Sequence, residues 1–245
     1  MHNNRAVNLC HILGLWAQCG PARQVAVSSR ARLSRMYYNT MKLNHFDFRI
    51  TDDEGWRIEI PGLPELTSVG SNRGYTIDEQ DKLFPSYGSG ANGLEKGNGY
   101  ISKAEFIDLL KYANDRNISV IPQISFPSHA RAAIKSMRAR YNKLSKDGKT
   151  EEAEKYLLED INDKSIYRSA QGYNDNVICV CQESSYDFFK KVVSEINLMY
   201  QEVKLKMKIF HIAADEVPYG SWTKSPICKN FMEENKISSI NELYD

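Results

Sequence analysis

Two carboxylates stand side by side in this sequence, at Asp215 and Glu216, directly after the apolar stretch 210–214. Like charges this close resist joint ionisation, so the pair is costly unless something uses it. Pro218 and Gly220 follow at once, so the chain turns immediately after the two acids. The pattern indicates either a surface turn or the carboxyl end of a barrel strand that carries functional side chains.

Polar residues also end two other apolar runs. Thr51-Asp52-Asp53 follow the aromatic-rich run 44–50, and the polar stretch 125–129, with His129 as its last residue, closes the run 118–126. In parallel α/β folds, ligand sites lie at the carboxyl ends of the strands. Three such ends that face the same edge of a sheet predict a functional site.

Strands and helices alternate along the chain between these polar ends. The predicted strands are residues 44–50, 118–126 and 207–214, and the predicted helices are residues 103–115, a helix that follows Pro127, and residues 185–203. Ser102 and Glu105 have the spacing of a capping box. Residues 70–99 are predicted to be an insertion loop, and residues 146–154 a charged, mobile segment. The alternation predicts an α/β fold with a parallel sheet.

The composition excludes several classes of function. The 245 residues include 32 basic and 31 acidic side chains, and the net charge of +1 gives no basis for binding nucleic acid or an anionic membrane. No apolar run approaches the length of a membrane span. Arg5 precedes an apolar run that indicates either a weak signal peptide or a buried strand or helix.

The candidate site contains several carboxylates and one histidine, without a metal-ligand set or a glycine-rich phosphate loop. The five cysteines do not describe a disulfide scaffold, and Cys179-Val180-Cys181 lacks the spacing of structural zinc sites. We therefore expect neither metal nor cofactor. Such a site suits acid–base chemistry on an uncharged substrate, and glycoside hydrolysis is the obvious candidate. Trp56 and Trp222 follow strand ends, where they could stack on a sugar ring or pack in the core.

Four motifs carry a resemblance to a known family. The stretches TDDEGWRIEIPGLPELT, HARAAIKSMRARY, SAQGYNDNV and HIAADEVPYGSW together resemble the family 20 glycoside hydrolases, in the bacterial chitobiase or β-N-acetylhexosaminidase branch. The resemblance covers residues 36–245 and leaves residues 1–35 unmatched. It implies an α/β fold of the (β/α)8 TIM-barrel type that removes terminal β-linked N-acetylhexosamine.

The resemblance also implies unequal roles for the two acids. In this family the 2-acetamido group of the substrate is the nucleophile. Glu216 matches the residue that protonates the leaving group and then activates water, and Asp215 matches the residue that orients the acetamido group. His129, Asp52 and Asp53 match the supporting network. The implied partners are glycans that end in N-acetylglucosamine or N-acetylgalactosamine, and the family's habit suggests export to the periplasm, cell surface or medium.

The sequence departs from the family pattern near the site. The departures are Asp47 and Arg49 in place of two histidines, Gln123 and Ser125 in place of two acids, and Ser128, Ala213 and Ala214 in place of glycines. Loss of an acid near His129 could weaken the network.

Only three strand–helix units are predicted where a barrel needs eight, so the sequence predicts the N-terminal part of an incomplete barrel. A non-catalytic remnant with at most weak sugar binding is the alternative. Cys181 and Cys228 could pair in an oxidising compartment or remain free buried thiols.

Overall fold

The structure is a computed structural model that describes residues 44–86, 89 and 98–243. In chain order the elements are β1 (His45–Arg49), α1 (Glu65–Ser68), α2 (Lys103–Asn114), β2 (Ser119–Ser125), α3 (Arg131–Lys146), α4 (Thr150–Glu154), α5 (Glu183–Glu202), β3 (His211–Ala213), α6 (Pro226–Asn235) and a 3-10 helix (Ile240–Leu243). The predictions for residues 1–35, including the apolar run after Arg5, lie outside the described residues. So does most of the predicted insertion beyond residue 86.

The three strands form one parallel sheet in the order β1-β2-β3. Arg49 pairs with Gln123, and Gln123 in turn pairs with His211, which fixes the register across the sheet. Because side chains alternate between the two faces of a strand, one face carries these polar residues together with Asp47. The prediction of a parallel α/β sheet is confirmed.

Helices cover the other face of the sheet, where the main core lies. Phe106 of α2, Met137 of α3 and Ile196 of α5 belong to one buried cluster with Ile124 of β2. The predicted capping box begins α2, since the Ser102 side chain accepts a hydrogen bond from the backbone of Glu105 and the Glu105 carboxylate accepts one from the backbone of Ser102. Capping and burial therefore act together to hold the helices against the sheet.

β3 differs from its prediction. Residues 207–214 were expected to form a buried strand, but the strand spans only His211–Ala213, and Ile212 is 46% exposed. Among the described residues, β3 pairs on one side only, with β2. A continuous apolar run is typical of a strand inside a parallel sheet, where neighbouring strands and covering helices bury it. In the described part of the chain β3 is an edge strand, so Ile212 stays partly exposed.

The helix predicted to follow Pro127 is confirmed, and it begins at Arg131 after the turn formed by residues 127–130. The charged segment 146–154, expected to be mobile, contains the short helix α4. The turn matters for the site because it carries His129 at the carboxyl end of β2.

A second apolar cluster lies beside the main core and contains Trp222 and three cysteines. Cys181 and Cys228 form a disulfide, while Cys179 is a buried free thiol. Of the two alternatives open for Cys181 and Cys228, the structure shows the paired one. No helix in the described part of the chain has the length and apolar character needed to cross a membrane.

Candidate active site

Asp53 is the buried anchor of the site. The residue is 3% exposed, and it lies just beyond β1. Oδ1 accepts a hydrogen bond from the backbone N–H of Arg131 at 3.1 Å, and Oδ2 accepts one from the Asn176 amide at 3.0 Å. Oδ2 also lies 3.1 Å from Nδ1 of His129. A buried carboxylate with three such partners is satisfied and holds each of them in place.

Asp52 has a different role from its neighbour. Its Oδ1 accepts hydrogen bonds from the backbone of Glu54 at 2.7 Å and of Gly55 at 3.2 Å. Burial raises the pKa of the Asp52 carboxyl, against the opposing effect of the nearby Arg49 guanidinium. Asp52 therefore shapes the turn after β1, whereas Asp53 reaches the histidine. The sequence did not separate these two roles.

His129 links Asp53 to the two neighbouring acids. Its Nε2 lies 3.3 Å from Oε2 of Glu216 and 3.9 Å from Oδ2 of Asp215. The hydrogen bond that His129 donates to Asp53 raises the pKa of His129, against the opposing effect of burial. Because an ionised carboxylate only accepts, Nδ1 carries the proton in this pair, and Nε2 is the atom that faces Glu216. The structure thus brings four of the predicted site residues into one connected group.

The two acids occupy the open end of this group. The side chains of Asp215 and Glu216 are 59% and 52% exposed, so both face solvent beyond the end of β3. Glu216 has φ of 56°, and His129 has φ of 51°. Left-handed backbone at residues other than glycine costs free energy and is concentrated at functional sites. The Ser128 hydroxyl donates to the backbone carbonyl of Asp215, which ties the β2 turn to the β3 turn.

Gln171 also contacts the exposed acid and was missed by the sequence analysis. Its side-chain amide donates a hydrogen bond to Oε2 of Glu216 at 2.9 Å. A tight loop presents it, since Ser169 N–H donates to the Tyr173 carbonyl at 2.7 Å and Gly172 has φ of 90°. The only sequence signal was the SAQGYNDNV motif, which belongs to no regular element. Asn176, the partner of Asp53, comes from the same motif.

Further contacts fix this loop to the end of β1. The Tyr173 hydroxyl donates to the Glu54 carboxylate. Arg73 pairs with the other oxygen of Glu54 at 3.2 Å. The loop around Gln171 is therefore held by Glu54, which lies two residues after Asp52.

A buried ionic cluster supports the beginning of α3. Arg131 pairs with both oxygens of Glu79, at 2.8 and 2.7 Å, and with Asp175 at 2.8 Å. Lys135 adds a contact to Asp175 at 2.8 Å. Burial alone would lower the pKa of the Arg131 guanidinium, but the two carboxylates raise it. Because Arg131 also donates its backbone N–H to Asp53, the cluster positions the anchor of the site.

Two of the departures from the family pattern contact each other. Arg49 donates to the Ser125 hydroxyl at 3.2 Å, and Ser125 donates to the backbone carbonyl of Thr51 at 3.2 Å. Ser125 replaces an acid that could have been the partner of His129. That histidine keeps a carboxylate partner in Asp53, so the substitution does not leave it unpaired.

Asp47, another departure from the family pattern, places a carboxyl group on the polar face of the sheet. Burial raises the pKa of its carboxyl, and the charges of His211 and Arg49 oppose this shift. Its Oδ1 is buried without a hydrogen-bond partner in the described part of the chain. The polar face of the sheet therefore carries a charged layer where barrel interiors are usually filled by branched apolar residues.

The structure places both tryptophans in the core, which is one of the two roles left open for them. Trp56 is 1% exposed and packs edge-on against Phe188, and Trp222 is 4% exposed in the second apolar cluster. Their indole N–H groups donate to the backbone carbonyls of Ile58 and Ile178. Both rings therefore serve the core and present no open face to a ligand.

The described residues contain one close group of metal-ligand side chains, formed by Cys179, Cys181 and Cys228. A disulfide uses two of these sulfur atoms. At the site itself, the geometry offers an exposed acid, Glu216, with a histidine and an amide aimed at one of its oxygens. A second acid stands beside it. This arrangement can give and take protons next to a bound neutral molecule.

Comparisons of sequence and of structure with known proteins all point to the same family. The model of the glycosyl hydrolase family 20 catalytic domain matches residues 36–245. A β-hexosaminidase of Vibrio vulnificus is 46% identical over 188 residues, which cover 77% of this chain and 22% of that protein. The N,N'-diacetylchitobiase of Vibrio harveyi is 48% identical over 176 residues, which cover 71% of this chain and 20% of that protein.

Solved structures agree with the sequence relatives. The family 20 exo-β-N-acetylglucosaminidase of Vibrio harveyi, solved with N-acetylglucosamine, superposes with a TM-score of 0.71 at 39% identity. The alignment covers 89% of this chain and 29% of that one. A β-N-acetylhexosaminidase of Bacteroides fragilis superposes with a TM-score of 0.58 at 25% identity, over 89% of this chain and 34% of that one. The chain thus spans about a fifth to a third of the length of these relatives.

Proposed function

Because this chain belongs to the catalytic domain of glycosyl hydrolase family 20, we propose that it contributes the acid–base half of a β-N-acetylhexosaminidase site. The substrates are glycans that end in β-linked N-acetylglucosamine or N-acetylgalactosamine, as the names of the relatives suggest. The fold is an α/β part of a TIM barrel, with the site at the carboxyl ends of its strands.

In the proposed reaction, Glu216 protonates the glycosidic oxygen as the bond to the leaving group breaks. The carbonyl oxygen of the substrate's own 2-acetamido group attacks the anomeric carbon, so no carboxylate of the protein forms a bond to the sugar. Asp215 orients the acetamido group and stabilises the positive charge that develops on it. Glu216, now ionised, then takes a proton from the water that opens the cyclic intermediate.

The observation that carries this proposal is the chain of contacts Asp53–His129–Glu216. Asp53 holds the ring of His129 through Nδ1, so Nε2 is directed at Glu216 Oε2. While Glu216 is ionised, a protonated His129 donates to it and offsets its charge. With Nδ1 committed to Asp53, the free nitrogen is the one that can share a proton with the catalytic acid.

Glu216→Gln tests the assignment in the full-length protein, by which we mean this chain within a complete family 20 catalytic domain. The amide keeps the shape of the side chain but cannot donate an acidic proton, so we expect the turnover of 4-nitrophenyl N-acetyl-β-glucosaminide to fall by about 10²- to 10⁴-fold. Asp52→Asn, which alters only a turn carboxylate, should cost far less. Unchanged turnover in the Glu216 variant would refute the assignment.

The open end of the site supports a second candidate, a non-catalytic remnant with at most weak sugar binding. Asp215 and Glu216 are more than half exposed, and the described residues supply three strands of a barrel architecture that uses eight. Hydrolysis of the same aryl substrate by the purified 245-residue chain, abolished by Glu216→Gln, would exclude this alternative. Activity confined to the full-length protein would support it for the isolated chain.

A further inference from the structure

A free thiol lies against a disulfide three residues after Asn176, the residue whose amide bonds Asp53. Cys179 is buried, and its Sγ lies 3.8 Å from Sγ of Cys228, which is bonded to Cys181. All three sulfur atoms lie within 4.8 Å of one another. This separation is close to van der Waals contact, so no chain movement is needed to bring the thiol to the disulfide.

We propose that these three cysteines form an internal thiol–disulfide exchange site, in which Cys179 and Cys181 compete for Cys228. The thiolate of Cys179 attacks Sγ of Cys228, a new Cys179–Cys228 bond forms, and the Cys181–Cys228 bond breaks. The electron pair of the broken bond leaves on Cys181, which takes up the proton that Cys179 released. One disulfide and one thiol are present before and after, so the step needs no oxidant or reductant.

The surroundings favour this direction of attack. Cys179 is held in place, since its N–H donates to the Leu158 carbonyl at 2.8 Å and its carbonyl accepts from the Ser185 hydroxyl at 2.7 Å. Cys181 lies one residue before the N-cap of the 20-residue helix α5. The positive end of that helix stabilises the thiolate that leaves.

The exchange changes which residue is bonded to Cys228 on α6, and so where the disulfide attaches α6 to the segment that supports the site. The segment that contains Cys179 begins at Asn176, whose amide bonds Asp53, and Ile178 accepts from the Trp222 indole. A bond at Cys179 rather than Cys181 shifts this attachment by two residues toward Asn176. The two disulfides would therefore hold the site's supporting segment at two different points.

The rate should depend on pH through the attacking thiol. Burial raises the pKa of Cys179 to about 11, and the carboxylates of Asp160 and Asp163 act in the same direction. The backbone N–H of Cys181 and the hydroxyl of Ser225 oppose the shift. Below that pKa the thiolate fraction rises about tenfold per pH unit, so exchange is slow at neutral pH and faster in mild alkali.

Site-resolved alkylation tests the proposal in the 245-residue chain with Cys10 and Cys19 changed to serine. Samples held at pH 7 and pH 9 are quenched in acid, denatured, treated with N-ethylmaleimide and sequenced by mass spectrometry. We expect label at both Cys179 and Cys181, with the Cys181 share approaching its final value about 100-fold faster at pH 9 than at pH 7. Label confined to Cys179 at every time, or found at Cys228, would overturn the proposal.

Two variants give an independent reading. Cys181→Ser should form the Cys179–Cys228 bond when produced under oxidising conditions, whereas Cys179→Ser should retain the Cys181–Cys228 bond. Two free thiols in folded Cys181→Ser would contradict the exchange. If that variant does not fold, the time course of the parent chain decides the question alone.

Discussion

At the scale of single residues, Oε2 of Glu216 is shared by two donors of different kinds. His129 changes its charge with pH, whereas Gln171 donates an uncharged amide at 2.9 Å whatever the pH. Because both lie on Oε2, the other carboxyl oxygen is the one left to carry a proton toward a substrate. Gln171 therefore acts as a positioning residue for the proposed acid.

Gln171→Ala tests that positioning role. A hydrogen bond to a charged group contributes about 1.5 kcal/mol, so we expect kcat/KM of the full-length protein to fall about tenfold. The loss should be larger for alkyl glycosides, whose leaving groups need a proton, than for nitrophenyl glycosides. Asn174→Ala, an exposed neighbour in the same loop, is the matched control. Equal losses for both leaving groups would argue against an effect on the acid.

Asp53→Asn tests the buried pair with His129. The folded-state pKa of His129 is raised, so the pair's contribution to stability is complete below about pH 6.5 and is lost as pH rises through that raised value. We expect the variant to lose about 3 kcal/mol of unfolding free energy in mild acid and less in mild alkali. Urea unfolding across this range measures the difference. An equal loss in mild acid and in mild alkali would contradict the pairing of Asp53 with a protonated His129.

At the scale of elements, the turn after β3 presses on a neighbouring backbone. A Cβ added at Gly220 would lie 2.7 Å from the carbonyl oxygen of Ile166, and Gly220 has φ of 98°. Gly148 has a comparable φ of 74°, but a Cβ there would meet nothing within 4 Å. Alanine at Gly148 would therefore cause backbone strain alone, whereas alanine at Gly220 would cause both backbone strain and steric overlap.

Gly220→Ala should destabilise the fold by about 3 kcal/mol, whereas Gly148→Ala should cost about 1 kcal/mol. The larger cost arises because the Ile166 backbone must move, and Gly220 lies only four residues after Glu216. We also expect the Gly220 variant alone to lower the activity of the full-length protein. Thermal unfolding and aryl-glycoside turnover measure the two effects. Similar stability losses in both variants would mean that the overlap is relieved without cost.

Strands and helices could be predicted where burial produces a regular pattern of apolar residues in the sequence. The site residues could be predicted where they follow the ends of these strands. β1, β2 and α2 follow from alternation, an unbroken apolar run and a capping box, respectively. Gln171 and Asn176 were not predicted, because a loop that is held by contacts with residues distant in sequence shows no regular pattern of apolar residues. The role of the two tryptophans stayed open for a different reason, since an aromatic residue after a strand has the same sequence pattern whether it faces a ligand or the core.

At the scale of the whole molecule, the sheet in the described part of the chain has one apolar face packed against helices and one charged face. Asp47, Arg49 and His211 make this second face polar. That polarity limits the apolar surface of an open sheet, but it does not satisfy the backbone at the edge of β3. Among the described residues, β3 pairs only with β2, so its outer edge can accept another strand.

Self-association of the isolated 245-residue chain should therefore run through β3. Ile212 is 46% exposed at this edge, and unpaired backbone beside an exposed apolar side chain templates strand addition. We expect Ile212→Lys to raise the concentration at which the chain associates by about tenfold, because a lysine brought into a paired edge must lose its hydration.

Leu198→Lys is the matched control, since Leu198 is 47% exposed but lies on α5, where the backbone is already paired. Sedimentation velocity over a concentration series measures both variants. A helix surface can associate only through its side chains, so Leu198→Lys should change association little. If the two lysines act equally, general apolar exposure governs association, and the open edge of the sheet does not.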